Sequence, residues 1–207
     1  MSDSIKAAVI YYSATGNVHR LAEAAAEGAE RAGSQTRLVK VRELAGETAI
    51  NSNEAWRTHV DTSGHVDTAS VDDLAWADVV IFGAPTRYGN VPSQLQQFLD
   101  LTGPLWAAGK LADKVYSAFT SSQTLHGGQE STLLSLYTTM YHWGGIVVPP
   151  GFTDPIQFQS GNPYGASHVS SEGFPGDVEL EAARYQARRA VEVAAGVIGT
   201  RDQERAS

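Results

Sequence analysis

Cysteine is absent from the 207-residue sequence. Without thiols the chain has no disulfides, thiolate nucleophiles, iron–sulfur clusters or Cys-ligated zinc. Any redox chemistry therefore depends on a bound organic cofactor or on a metal held by nitrogen and oxygen ligands. The six histidines show no His-x-x-x-His spacing, so the sequence predicts no metal centre.

Basic clusters and long apolar runs are also missing. The formal net charge is −8, and no five like charges stand together. This balance disfavours nucleic acids and anionic membranes as partners, because both require a clustered basic face. The apolar run at residues 7–12 is too short for the core of a signal peptide, and no run approaches transmembrane length. A cytoplasmic protein is the expectation.

Short apolar runs alternate with amphipathic segments along the chain. Strands are predicted at residues 7–12, 36–41, 78–83, 115–119 and 146–148, with helices after the first, third and fourth of them and a last helix at about 178–197. This alternation predicts an α/β protein with a parallel sheet and helices on both faces. The length predicts one domain over residues 1–207. Its long excursions, at about 45–73 and 149–176, exceed simple connections and are typical of functional or interfacial segments.

The first of three polar loops follows the first strand. Residues 13–18 combine two hydroxyls, a glycine and the first amides of a helix, which together favour an anion. Neither Gly-x-x-x-x-Gly-Lys-Ser/Thr nor Gly-x-Gly-x-x-Gly occurs there, so it is not one of those two phosphate loops. The alternative is that Ser13 and Thr15 only cap the helix.

The other two loops follow the third and fourth predicted strands. Residues 85–92 present an arginine, a tyrosine and an amide on a short, stiff segment, which suits a flat heteroaromatic ring but also an ordinary turn before a helix. Residues 120–130 carry four hydroxyls and two consecutive glycines, which alone indicate only a flexible polar loop. Because ligands of open parallel sheets bind beyond the carboxyl ends of the strands, the three loops together predict one shared ligand.

Several segments then carry a family resemblance. They are residues 11–16, 82–90, 98–106, 119–121, 125–130, 163–166 and 183–186, with Pro-Thr-Arg-Tyr-Gly-Asn and His-Gly-Gly-Gln-Glu the most specific. Over nearly its whole length the chain resembles the WrbA-type NAD(P)H:quinone oxidoreductases of the flavodoxin-like superfamily. The resemblance implies a flavodoxin-like doubly wound five-stranded sheet of order 2-1-3-4-5. It also implies FMN as cofactor, NAD(P)H as electron donor, two-electron ping-pong reduction of quinones, and a homotetramer or homodimer.

The resemblance also assigns residues to the site. Those implied to bind FMN are Ser13, Ala14, Thr15, Gly16, Asn17, Val18, Pro85, Thr86, Arg87, Tyr88, Gly89, Asn90, Thr120, Ser121, Ser122, Gln123, Thr124, Leu125, His126, Gly127 and His142. Trp106 is implied to line the pocket shared by nicotinamide and quinone. Two other functions compete with the enzyme: a one-electron carrier like flavodoxin, and a flavin-free scaffold.

Two positions depart from the family pattern. Thr15 stands where some members carry a tyrosine that touches the nicotinamide nucleotide. Members often show two adjacent histidines after the fourth helix, whereas this chain has His142 and Trp143. An indole donates one hydrogen bond and takes up no proton, so either His142 serves at the flavin edge or that role is lost. Trp143 is otherwise simply a buried aromatic residue. His126 and His142 are the candidate proton donors, with His142 the only catalytic candidate.

Overall fold

A parallel sheet organises the chain. The computed structural model describes the backbone of residues 4–206 and the side chains of residues 4–198. Its principal strands are β1 (Lys6–Tyr11), β2 (Gln35–Lys40), β3 (Val79–Pro85), β4 (Val115–Ser122) and β5 (Ile146–Val147). They lie in the order β2-β1-β3-β4-β5, all parallel. The predicted flavodoxin-like order is confirmed.

The outer neighbour of β4 consists of two strands, so a short sixth strand is added to the five that were predicted. β5 pairs with Val115 and Tyr116 of β4, while a sixth strand, β6 (Ser167–Val169), pairs with Thr120–Ser122 on the same side of β4. The chain therefore leaves the sheet after β5 and returns at β6 to pair with the same edge of β4. This return brings part of the second excursion to the carboxyl end of the sheet.

Helices cover both faces of the sheet. The helices are α1 (Asn17–Arg31), α2 (Glu47–Asn51), α3 (Glu54–Thr62), α4 (Val71–Trp76), α5 (Ser93–Asp100), α6 (Gly103–Ala107), α7 (Gln129–His142), α8 (Pro155–Ser160) and α9 (Asp177–Ala206). Successive β1 residues point to opposite faces: Val9 packs with α1 and α9, and Ile10 with α4, α5 and α7. Because both faces of β1 and β3 are buried, these two strands read as continuous apolar runs.

A glycine permits the close packing of α1 against α9. A Cβ placed on Gly28 would stand 2.2 Å from the backbone oxygen of Arg184. The Arg184 guanidinium also donates to Glu27 at 2.6 Å, across the same helix pair. The two longest helices therefore form one layer that carries the sheet on its inner side.

One carboxylate fastens the first excursion to the sheet. Glu43 accepts hydrogen bonds at 2.9 Å from the Tyr12 hydroxyl, the Trp56 indole and the Gln94 amide, and from two backbone amides that follow it. Burial opposes ionisation of this group, but the donors prevail and lower the pKa of the Glu43 carboxyl. The contacts hold α3 beside β1 and α5.

The excursions hold more regular structure than the sequence pattern predicts. Helices α2 and α3 fall in the first, α4 begins at its end, and α8, β6 and a 3-10 turn at Ser170–Glu172 fall in the second. None of the helices within residues 4–206 is long and apolar enough to cross a membrane.

Candidate functional site

A cavity of about 610 Å³ opens at the carboxyl ends of β1, β3 and β4. It brings together the three polar loops selected from the sequence. The lining residues are Ser13, Ala14, Thr15, Asn17, Val18, Asn53, Pro85, Thr86, Arg87, Tyr88, Ser121, Ser122, Gln123, Thr124, Gly127 and Ser170. Among the described residues that line the cavity, Arg87 alone carries a formal charge, on a protein of net charge −8. The wall therefore suits a polar ligand that is anionic or neutral.

The turn from β1 into α1 leaves backbone donors free. Gly16 is the N-cap of α1 and has a φ of 93°, a left-handed conformation that glycine adopts readily. The Ser13 hydroxyl accepts from the Gly16 amide at 3.1 Å, and no side chain of the described residues caps the first turn of α1. The alternative of simple helix capping by Ser13 or Thr15 is therefore wrong. The positive end of a 15-residue helix is left for another acceptor.

Asn17 supplies a further unused polar group at this turn. Its amide nitrogen donates to the Thr15 hydroxyl at 3.2 Å, while its buried Oδ1 has no partner among the described residues. Exchanging the two ends of the amide would let Thr15 donate to the oxygen and would put the N–H donors where the unpartnered oxygen lies. Either orientation leaves one polar group of Asn17 without a partner among the described residues.

The loop after β3 is a tight hairpin. Arg87 and Asn90 exchange backbone hydrogen bonds of 2.8 and 3.0 Å, and Tyr88 and Gly89 between them have φ of 54° and 78°. Positive φ at both central residues is the geometry of a type I′ turn. For a tyrosine this conformation is strained, and the Tyr88 side chain is fully exposed at the cavity. The turn thus presents an aromatic ring and a guanidinium on a short, well-defined support.

Close backbone contact fixes this hairpin against α7. A Cβ on Gly128, the N-cap of α7, would stand 2.6 Å from the Gly89 Cα. Ser131 donates to the Gly89 carbonyl at 2.9 Å, and the Thr86 hydroxyl accepts from the Gly89 amide at 3.0 Å. The second and third loops therefore form one rigid wall.

Gln129 connects the third loop to the second excursion. Its buried amide donates to the Ser122 hydroxyl at 2.9 Å and to the His168 carbonyl at 3.1 Å. Ser122 lies in the cavity wall, and His168 lies on β6. In the sequence Gln129 stands out only as part of the His-Gly-Gly-Gln-Glu motif; in the structure its side chain sets the spacing between β4, α7 and β6.

Six of the predicted ligands lie in the three loops but outside the cavity wall. The Thr120 hydroxyl is buried on the Ala84 carbonyl, and Gly16 lies at the base of the first turn. Gly89 and Asn90 shape the hairpin, while Leu125 and His126 are exposed within the third loop.

His142 and Trp106 lie together at a distance from the cavity. The Trp106 indole donates to the His142 carbonyl at 3.1 Å, and both residues are exposed. His142 is the last residue of α7, whose first residue is beside the cavity. A 14-residue helix rises about 21 Å, so one chain does not bring His142 to this cavity. Trp143 is buried against the Phe82 and Tyr116 rings, as the alternative interpretation has it.

Two lining residues come from the excursions and were missed by sequence reasoning. Asn53 is the N-cap of α3, and Ser170 begins the 3-10 turn after β6. The only signal in the sequence is the length of these segments, which marks them as functional or interfacial without selecting a residue.

Comparison with protein families and named relatives agrees with this geometry. A family model described as NADPH-dependent FMN reductase matches residues 5–158. A Deinococcus radiodurans protein named NAD(P)H dehydrogenase (quinone) is 44% identical over 201 residues, which is 96% of this chain and 100% of that protein. A Sinorhizobium fredii protein of the same name is 45% identical, covering 92% of this chain and 97% of its own.

Solved structures show the same architecture. A flavodoxin, WrbA-like protein from Agrobacterium tumefaciens is 27% identical and has a TM-score of 0.67, covering 93% of this chain and 99% of its own. A flavodoxin from the domain Archaea, at 20% identity and a TM-score of 0.57 over 93% of this chain and 99% of its own, shares the fold.

Proposed function

Because the chain belongs to the NADPH-dependent FMN reductase family, we propose that it is an FMN-dependent NAD(P)H:quinone oxidoreductase. The single observation that carries the site assignment is the uncapped amino end of α1, which opens on a cavity walled by three strand-end loops. An FMN phosphate requires several N–H donors and a positive field, and this turn offers both.

The residues of the cavity fit FMN. The turn at 13–18 would hold the phosphate, and Asn17 would donate to it once its amide is turned. The hairpin at 87–90 and the loop at 120–127 would hold the ring and the ribityl chain through backbone groups and hydroxyls. The rigid Gly89–Gly128 contact would keep these two walls at a fixed separation.

Bound FMN supplies the hydride chemistry itself, so the protein needs few reactive side chains. The chain's contribution is to bind and orient the cofactor and to control access to its ring. We propose that NAD(P)H and the quinone use this access in turn, in a two-electron ping-pong cycle. Arg87, the only charged residue of the wall, would favour an anionic donor.

A second copy of the chain would complete the site. Trp106 and His142 form one exposed patch, and this patch lies outside the cavity of the chain to which it belongs. We propose a homodimer or homotetramer in which this patch faces the cavity of a neighbouring copy. His142 would then reach the flavin edge from outside the chain that binds the phosphate.

Anaerobic mixing tests the proposed function. FMN-loaded protein is mixed with NADH or NADPH, the flavin absorbance is followed, and a benzoquinone is then added. We expect at least one nucleotide to bleach the absorbance and the quinone to restore it. Flavin that stays oxidised with both nucleotides would exclude the reductase and leave the one-electron carrier, and protein that binds no FMN would leave the scaffold.

A further inference from the structure

A second cavity, of about 980 Å³, lies along α1 next to the first cavity, in which the flavin is proposed to bind. Its walls are α1, α3, the beginning of α9 and the Phe174 ring. Thr15 lines both cavities, so the two share an edge at the β1–α1 turn. A ligand that lies over the first cavity can therefore extend into the second.

A flat wall stands at the shared edge. The Arg20 guanidinium lies over the Phe174 ring, 3.9 Å from the ring centroid. The same ring covers Gly16, where a Cβ would be 3.3 Å from it. Phe174 remains half exposed, so the stacked pair offers surface to an incoming planar base.

Carboxylates line the rest of the cavity. Glu27 is engaged by Arg31 and by Arg184, the latter at 2.6 Å. Glu23 stands 3.4 Å from the His19 imidazole. Glu54, at the start of α3, has no hydrogen bond or ion pair with any described side chain, so its oxygens are available to a ligand.

The histidines of this wall do not offset the carboxylates at neutral pH. His19 and His59 stack with ring centroids 5.3 Å apart, and His19 is hydrogen-bonded to the Tyr11 hydroxyl. Burial lowers the pKa of His59 to about 4 and also lowers the pKa of His19. The charged groups of the wall are then three carboxylates and two guanidiniums, one of which already pairs with Glu27.

We propose that this cavity receives the adenosine end of the nicotinamide dinucleotide and accepts a free 2′-hydroxyl in preference to a 2′-phosphate. The inference rests on the proposed function and adds a cosubstrate preference to it: NADH over NADPH. In dinucleotide-binding folds a carboxylate accepts from the ribose hydroxyls of NAD, whereas NADP sites place an arginine there. The guanidinium of this wall that pairs with no described carboxylate, Arg20, lies over the Phe174 ring, and three carboxylates line the cavity beyond it. The diphosphate is common to both nucleotides and cancels in the comparison.

The steady-state experiment compares the two nucleotides on FMN-loaded protein and on two variants. We expect kcat/KM for NADH to exceed that for NADPH by about tenfold or more, since a 2′-phosphate adjoins two incompletely paired carboxylates. The double change Glu23→Gln with Glu54→Gln should narrow this ratio severalfold, chiefly by improving NADPH. Glu30→Gln is the matched control, because Glu30 is an exposed glutamate of α1 outside the cavity.

Three results would overturn the inference. They are equal use of both nucleotides, a preference for NADPH, and a preference for NADH that the double change leaves as it is in the Glu30→Gln control. Thermal unfolding of each variant confirms that the comparison is made on folded protein.

A binding measurement separates this inference from the proposed reaction. Titration calorimetry on FMN-loaded protein compares ADP-ribose with its 2′-phosphate, neither of which can deliver a hydride. Tighter binding of ADP-ribose, reduced by the double change, supports the cavity assignment even if neither nucleotide reduces the flavin, in which case only the proposed activity fails. No binding of either fragment, alongside normal reduction by both nucleotides, overturns the cavity assignment alone.

Discussion

Individual residues of the site act largely through their backbone groups. Gly16 and Gly89 hold left-handed conformations, and Gly128 allows two loops to touch. The sequence predicted the position of these turns, because glycine and hydroxyl residues cluster after apolar runs. It could not predict which hydroxyls face the cavity: Thr120 binds Ala84 in the sheet, while its neighbour Ser121 lines the site. Ser121 and Ser122 are consecutive at the end of β4 and both line the cavity, so the alternation of side chains along a strand does not by itself identify the lining residues.

Removing the Asn17 amide should weaken FMN binding. Asn17→Ala deletes a donor at the helix end, and we expect the Kd for FMN to rise about 10- to 100-fold, as for loss of one charge-assisted hydrogen bond. Fluorescence titration of apoprotein with FMN measures it. Gln96→Ala, an exposed amide on α5, is the control and should leave the Kd as it was. An unchanged Kd in Asn17→Ala would place the phosphate elsewhere.

The Thr86 hydroxyl should matter more than its methyl group. Thr86→Val removes the acceptor of the Gly89 amide and the partner of Thr132, so we expect a loss of about 1–2 kcal/mol in unfolding free energy and weaker FMN binding. Thr86→Ser keeps the oxygen and should retain most of both. Urea denaturation measures the unfolding free energy of both variants, and FMN titration measures their affinity for the cofactor. Equal losses of stability and affinity in Thr86→Val and Thr86→Ser would contradict the hydrogen-bond explanation.

Elements with continuous apolar runs were predictable, and elements made by tertiary pairing were not. Residues 7–12 and 78–83 predicted β1 and β3 because both faces of those strands are buried. Strand β6 has only three residues, and its sequence, Ser-His-Val, carries no periodic signal. It is a strand because the chain returns to β4. Helices α2 and α3 are short and polar, so their pattern resembles that of a loop.

Two glycines in helices should respond to alanine in opposite ways. Gly28→Ala forces a Cβ against the Arg184 backbone, so we expect a loss of about 2 kcal/mol or more in unfolding free energy despite the better helix propensity. A Cβ placed on Gly196 of α9 would meet no described atom within 4 Å outside the backbone of its own helix, so Gly196→Ala should be neutral or stabilising. Denaturant unfolding of both proteins is the measurement. Similar stabilities would mean that α1 and α9 can separate at little cost.

At the scale of the whole molecule, family membership confirms the predicted class, an FMN-dependent oxidoreductase with a flavodoxin-like fold. The sequence could place three loops at one end of a sheet because the topology of parallel sheets is regular. It could not place Trp106 and His142, since a motif gives no distance between elements. Their roles at the site stay predictions, and the second copy that would use them is a proposal.

Stability of the whole fold should fall in mild acid. The pKa of His59 is about 4 in the folded protein against 6.5 for a free histidine. Between these two pH values the unfolded chain therefore binds a proton at this residue and the folded chain does not. The stabilising contribution of the neutral His59 is therefore complete above pH 6.5, and about 2 kcal/mol of unfolding free energy is lost as the pH falls from 6.5 to 4. His59→Gln should flatten this part of the pH profile of unfolding free energy. An identical slope in the variant would refute the assignment.

The sheet edge beside β4, which is made of the two short strands β5 and β6, also has a consequence for how the protein behaves in a crowded solution. An open sheet ends in a row of unpaired amides and carbonyls to which a foreign strand can attach. Here that border consists of a two-residue and a three-residue piece separated by a helical detour. Neither piece is long enough to template a stable ladder, so this margin of the sheet is protected from the first step of amyloid-like growth.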